Sequence, residues 1–157
     1  TSFPGEPVNT SATKNGWDKN LCIFLALATT TAFADHHALN LEARQPRAEL
    51  DITSIQIGED LSIVSAEGAT GEYGRVYLTY KLTADANGKG GVVHGEGRGA
   101  TKDGNFQSGT GSGSYYRDGT KFIMHVIFRI SDGTQNLDKI VFDSFNRKMS
   151  HDVYIAK

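Results

Sequence analysis

His94, Glu96 and Arg98 stand at alternate positions, the spacing that puts side chains on one face of a β-strand. A carboxylate between two potential cations tends to stay ionised. Facing a pocket, His94 is a candidate general acid or base, and Glu96 would stabilise developing positive charge. Facing solvent, the same residues form a salt-bridged outer wall, with the apolar, glycine-lined face of the strands turned inward. The residues alone leave both placements open. Glu96 and His94 are the catalytic candidates. Arg98, Tyr77, Tyr80, His125 and Arg129 are the ligand-binding candidates, since tyrosine offers a flat amphipathic surface for a sugar or an aromatic ring. If His94 and His125 lie together, Glu96 completes a three-ligand metal site.

Other chemistries find less support. The Gly/Ser/Thr run from Ser108 to Ser114 lacks the lysine and helix of a phosphate loop. There is no nucleophile-elbow motif, no CxxC pair and only one cysteine, Cys22. No cofactor is expected. The net charge of -2 gives no reason to expect a nucleic-acid partner.

The elements that must hold these residues are legible from turns. Asn87-Gly88, Asp103-Gly104, Asp118-Gly119 and Asp132-Gly133 recur at intervals of 16, 15 and 14 residues, and such pairs suit tight hairpins. From Tyr73 the period-two pattern is clear. Val76, Leu78, Tyr80 and Leu82 share one face; Tyr73, Arg75, Tyr77, Thr79 and Lys81 share the other. Fourteen of the 18 glycines fall between Gly68 and Gly119. Gly95, Gly97 and Gly99 alternate with the charged triplet, and Gly109, Gly111 and Gly113 repeat the device. Glycine inside a strand marks close approach of another group.

A two-residue turn at Asn87-Gly88 pairs Val76 with Gly99, Leu78 with Gly97, Tyr80 with Gly95 and Leu82 with Val93. Large side chains then lie over bare backbone, as a tightly curved wall requires. A three-residue bulged turn at Asp118-Gly119-Thr120 would bring Phe122, Met124, Val126, Phe128 and Ile130 onto the Val76 face. Residues 65–72 read as a glycine-rich bend or bulge, and Ile140, Phe142 and Val153-Tyr154-Ile155 as closing strands. The expected fold is all-β, an antiparallel up-and-down, calycin-like barrel of about eight strands.

Upstream, Lys19 precedes a short apolar run from Leu21 to Ala28, and Ala32-Phe33-Ala34 follows. This is the pattern of a signal peptide, and the run is too short to span a bilayer. It predicts a leader over 1–34 and a barrel domain over 35–157, periplasmic or secreted. Cleavage after Ala34 would expose Asp35-His36-His37, whose amine, backbone nitrogens and third-position histidine suit Cu(II) or Ni(II).

The stretch Ser65-Ala66-Glu67-Gly68-Ala69-Thr70-Gly71-Glu72-Tyr73-Gly74-Arg75-Val76 resembles a signature of the allene oxide cyclase and dirigent-like barrels. The resemblance implies a barrel that is often trimeric, with an interior pocket for an apolar or aromatic molecule. It also implies a cofactor-independent cyclisation or isomerisation. It supplies no catalytic residue, and the stretch lies earlier in this chain than in those families. The alternative is a non-enzymatic extracellular or envelope protein that self-associates through its barrel surface.

Overall fold

A computed structural model describes residues 39–156. The leader, Cys22 and the Asp35-His36-His37 run lie outside the described residues. Nine strands follow one another: β1 (Leu41–Ala43), β2 (Ala48–Gln56), β3 (Ser62–Thr70), β4 (Gly74–Ala84), β5 (Gly90–Ala100), β6 (Phe106–Asp118), β7 (Lys121–Ile130), β8 (Gln135–Asp143) and β9 (Lys148–Ala156). Every pairing is antiparallel, and β2 to β9 close into an eight-stranded barrel through the β9–β2 seam. β1 continues the line of β2 along the far end of β9, pairing Leu41 with Ala156 while β2 pairs Ala48 with His151. Closure leaves few free strand edges.

The β4–β5 register is the expected one, Val76 with Gly99 through Leu82 with Val93. The turn is longer than two residues. Asp85 N–H donates to the Gly90 carbonyl and Gly88 N–H to the Asp85 carbonyl. The loop spans residues 86–89, centred on the same point, so the register is unchanged. The bulged-turn expectation at Asp118 is corrected. Asp118 pairs with Lys121, leaving the two-residue turn Gly119-Thr120 with positive φ (59°) at Gly119, the II′ pattern. Phe122 to Ile130 nevertheless join the Val76 face, because a three-residue loop, Lys102-Asp103-Gly104, closed by Thr101 N–H to the Asn105 carbonyl, sets Gly95 opposite Gly111 and Gly97 opposite Gly109. A loop of the same length and hydrogen-bond pattern falls at Ser131-Asp132-Gly133, closed by Ile130 N–H to the Thr134 carbonyl.

No bend occurs over 65–70. β3 pairs without interruption from Ser62 with Leu82 to Thr70 with Gly74. The register shift lies in β2, between Ile52 and Ser54.

The barrel's core is the Val76 face. Leu50, Val64, Tyr80, Met124, Val126, Ile140 and Met149 are fully buried, and Phe128 and Phe142 nearly so. The glycine stripes make room for the rings. A Cβ at Gly95 would stand 2.5 Å from Phe128 Cζ and 3.1 Å from Tyr80 Cε1. Those two rings meet edge to face, centroids 6.4 Å apart. One end of the barrel is plugged by Tyr115, Phe122 and Phe142, with ring centroids 5.9 and 5.4 Å apart. The other end is polar.

Candidate functional site

The outward strand face carries the charged triplet. Glu96 accepts from Lys81 Nζ (3.3 Å) and lies 3.6 Å from His94 Nε2. Its carboxyl is held below the usual range, chiefly by the hydrogen bond from Lys81 and then by that ammonium's charge. His94 Nδ1 meets Ser112 Oγ at 3.0 Å, and Arg98 donates to the Gly97 carbonyl. Glu96 and His94 are therefore not brought into the barrel interior, and neither are Tyr77, His125 and Arg129; Arg98, exposed on the outer face, also borders the interior cavity described below. Tyr77, His125 and Arg129 all lie outside, with the Tyr77 ring half exposed. Of the expected ligand-binding residues only Tyr80 points inward.

His94 and His125 do not come together. β6 runs between their strands, and His125 stacks on Tyr116 at 6.3 Å. Among the described residues no three histidine, cysteine, aspartate or glutamate side chains group as metal ligands.

The interior holds a polar cluster of its own. The inward rows of β8 and β9 are Asn136, Asp138, Ile140, Phe142 and Met149, His151, Val153. Period two thus carries two ionisable groups into an otherwise apolar wall. Asp138 lies opposite Val153 and His151 opposite Ile140, so the two side chains meet on the diagonal. His151 Nε2 and Asp138 Oδ2 are 2.8 Å apart, with side-chain exposures of 8% and 4%. Neither group is fully buried in proteins without good reason. Tyr80 reaches the same region from β4. Burial first, and the Asp138 charge second, hold its hydroxyl well above the usual phenol range.

The polar mouth is covered by a network from three chain segments. Arg44, between β1 and β2, donates Nε to Glu72 Oε2 (2.8 Å) and Nη1 to Asn136 Oδ1 (3.4 Å). Its guanidinium lies 5.6 Å from the centroid of the Tyr73 ring. Asn136 Nδ2 donates to the Tyr73 hydroxyl (2.9 Å), and Glu72 N–H to Gln45 Oε1 (3.2 Å). Tyr73 thus leaves the outward face that the strand pattern assigned it. It sits in the turn before β4, where burial raises its hydroxyl above the ordinary value.

Beneath this network lies a cavity of about 50 Å³, walled by Gln45, Thr70, Tyr73, Gln107, Phe128, Asn136, Asp138 and His151 among others. Among the described residues, five buried side-chain atoms have no hydrogen-bond partner in the protein: Gln45 Nε2, Tyr80 Oη, Gln107 Oε1, Asp138 Oδ1 and His151 Nδ1. Four of those five, all but Tyr80, belong to residues on the wall of this cavity. Unpaired buried polar atoms are rare in folded proteins and costly, about 1–3 kcal/mol each. Their gathering at one place is the feature that distinguishes this barrel.

Sequence reading passed over Asp138, His151, Gln45 and Asn136. The signal existed: stepping back by twos from Ile140 and Val153 lands on Asp138 and His151, charged groups in phase with an apolar row. Gln45 lies outside the barrel strands and had no such signal.

No family model, curated protein or solved structure matches this chain. The fold and this interior cluster are what define it: a closed antiparallel barrel, apolar at one end and polar at the other. No helix among the described residues is long and apolar enough to cross a membrane.

Proposed function

We propose that this protein binds a small molecule inside the polar end of its barrel, with Asp138 and His151 as its principal contacts. One observation carries the reading: four residues on the wall of a single cavity each carry a buried polar atom without a partner in the protein. Such atoms call for a guest that completes their hydrogen bonds. Size narrows the guest. A cavity of about 50 Å³ has the room of about four waters, whereas pockets for drug-sized ligands run to about 300 Å³ or more. A bulky apolar substrate of the allene oxide cyclase or dirigent type would require the Arg44–Tyr73 cover to move. A compact polar molecule would not.

Isomerisation is the catalytic extension of this reading. In the tautomer that donates Nε2–H to Asp138, Nδ1 is the ring nitrogen left without a partner. That arrangement equips the site for proton transfer. Native mass spectrometry of protein isolated from its source tests the binding claim. The folded mass should exceed the denatured mass by a small organic guest. Equal masses, with only ordered water in a crystallographic map of the cavity, would end it.

A second reading, self-association, has its own support. Val92, Tyr116 and Ile127 are 58%, 52% and 62% exposed and surround Ser114 on the outer face of β5–β7. Three large apolar groups in one patch suit a contact between copies. Ile127→Lys should then lower the sedimentation coefficient; an unchanged monomer in both proteins would dismiss it.

A further inference from the structure

We infer that the guest of the interior site is a small protonated amine, bound through its ammonium to Asp138; this rests on the binding role proposed above. The inference comes from which orphaned atoms can be assigned and what they lack. Gln45 is oriented, because its Oε1 is taken by Glu72 N–H, and its orphaned Nε2 is a donor that an ammonium leaves unmet. The Gln107 amide has no such anchor and is not counted.

Asp138 has one oxygen on His151 and the other, Oδ1, without a partner. An ionised carboxylate only accepts. When His151 is neutral and donates from Nε2, its Nδ1 is a second unmet acceptor. The pair then presents two acceptors and one uncompensated negative charge, only 4% exposed at the Asp138 side chain. A buried charge needs a counter-charge and hydrogen bonds together. An ammonium supplies both, with three donors on one compact centre.

The surroundings agree. Arg44 and Arg98 are the arginines at this end; Arg44 is committed to Glu72 and to the Tyr73 ring, and Arg98 donates to the Gly97 carbonyl. Asp132 lies close enough to Arg44 to feel its charge. With His151 neutral, Glu72, Asp132 and Asp138 outnumber Arg44 and Arg98 around the opening. A carboxylate guest would have to sit against Asp138 and would be repelled. Past the ammonium, Phe128, Leu78 and Val76 line the rest of the cavity, which suits a short alkyl group.

A guest of about four non-hydrogen atoms binds no tighter than about tens of micromolar, so the test uses millimolar probes. The folded protein is titrated at neutral pH with n-propylammonium, propan-1-ol and propionate, three probes of similar size and different charge. Amide and imidazole NMR shifts of Asn136, Asp138, Ile140 and His151 are followed. Propylammonium should bind at least about tenfold more tightly than propanol, and propionate should not bind. Asp138→Asn should abolish that preference. The ranking in the unmodified protein decides the matter even if the variant does not fold. Tightest binding by propanol or propionate at these residues would overturn the amine assignment and leave the binding role standing. No shift from any of the three would remove both.

Discussion

Asp138 and His151 are a buried pair whose worth depends on what they serve. Removing one partner strands the other. His151→Leu alone should cost about 3–5 kcal/mol in a denaturant titration, since it leaves a buried carboxyl without its donor. Replacing both by leucine should recover most of that loss, to within about 1 kcal/mol of the parent, because an apolar pair has no desolvation cost. A double variant as unstable as the single one would mean that the pair holds the barrel together and is not maintained for a guest. The outer triplet offers a contrast. Glu96, Lys81 and His94 are each more than 40% exposed at the side chain, where ion pairs contribute little. Glu96→Gln should leave stability and interior binding unchanged, as read by the same titration and the same amide shifts. The residue types of the triplet were plain in the sequence. Its position outside the wall was not, because alternation separates two faces without saying which is inner.

At the scale of elements, the glycine stripes are what let aromatic and aliphatic side chains press on backbone. The neighbours differ in how far they can yield. A Cβ at Gly97 would meet the far end of Leu78, 2.7 Å from Cδ2, which can rotate away. A Cβ at Gly113 would sit against the His125 carbonyl oxygen, which the β6–β7 ladder fixes. Gly97→Ala should therefore cost about 1 kcal/mol and Gly113→Ala about 3 kcal/mol or more, measured as shifts in urea midpoint at constant slope. Equal costs would mean that the whole wall adjusts and that local contact is not what glycine relieves. The β4–β5 register was legible because Asn87-Gly88 marks the centre of its loop, whatever the loop's length. The Gly119 turn departs from the expected one because Asp-Gly pairs serve two- and three-residue connections alike. The length that wins is set by which faces must be buried.

The whole molecule is closed by the seam between β2 and β9, distant in sequence. Arg47 clasps Asp152 across it with two hydrogen bonds of 2.7 Å. The Asp152 carboxyl is lowered below its ordinary value of 3.8, first by the Arg47 hydrogen bond. A carboxyl with a lowered native pKa stabilises the fold above its ordinary value, and that contribution fades as pH falls through the lowered one. Arg47→Ala should thus reduce Tm by about 1–3 °C at pH 7, with the two proteins converging as pH falls through the lowered Asp152 value. A gap that persists in acid would mean that the guanidinium acts through packing rather than charge. Strand phase, the β4–β5 pairing and the all-β class were determined by the sequence itself, because side-chain alternation and turn residues act over a few neighbours. Only the tertiary structure decided which face became the interior and that Asp138 and His151 would meet there. Curvature and closure choose the inner face for the barrel as a whole, and the diagonal contact exists only once β8 and β9 are locked in register.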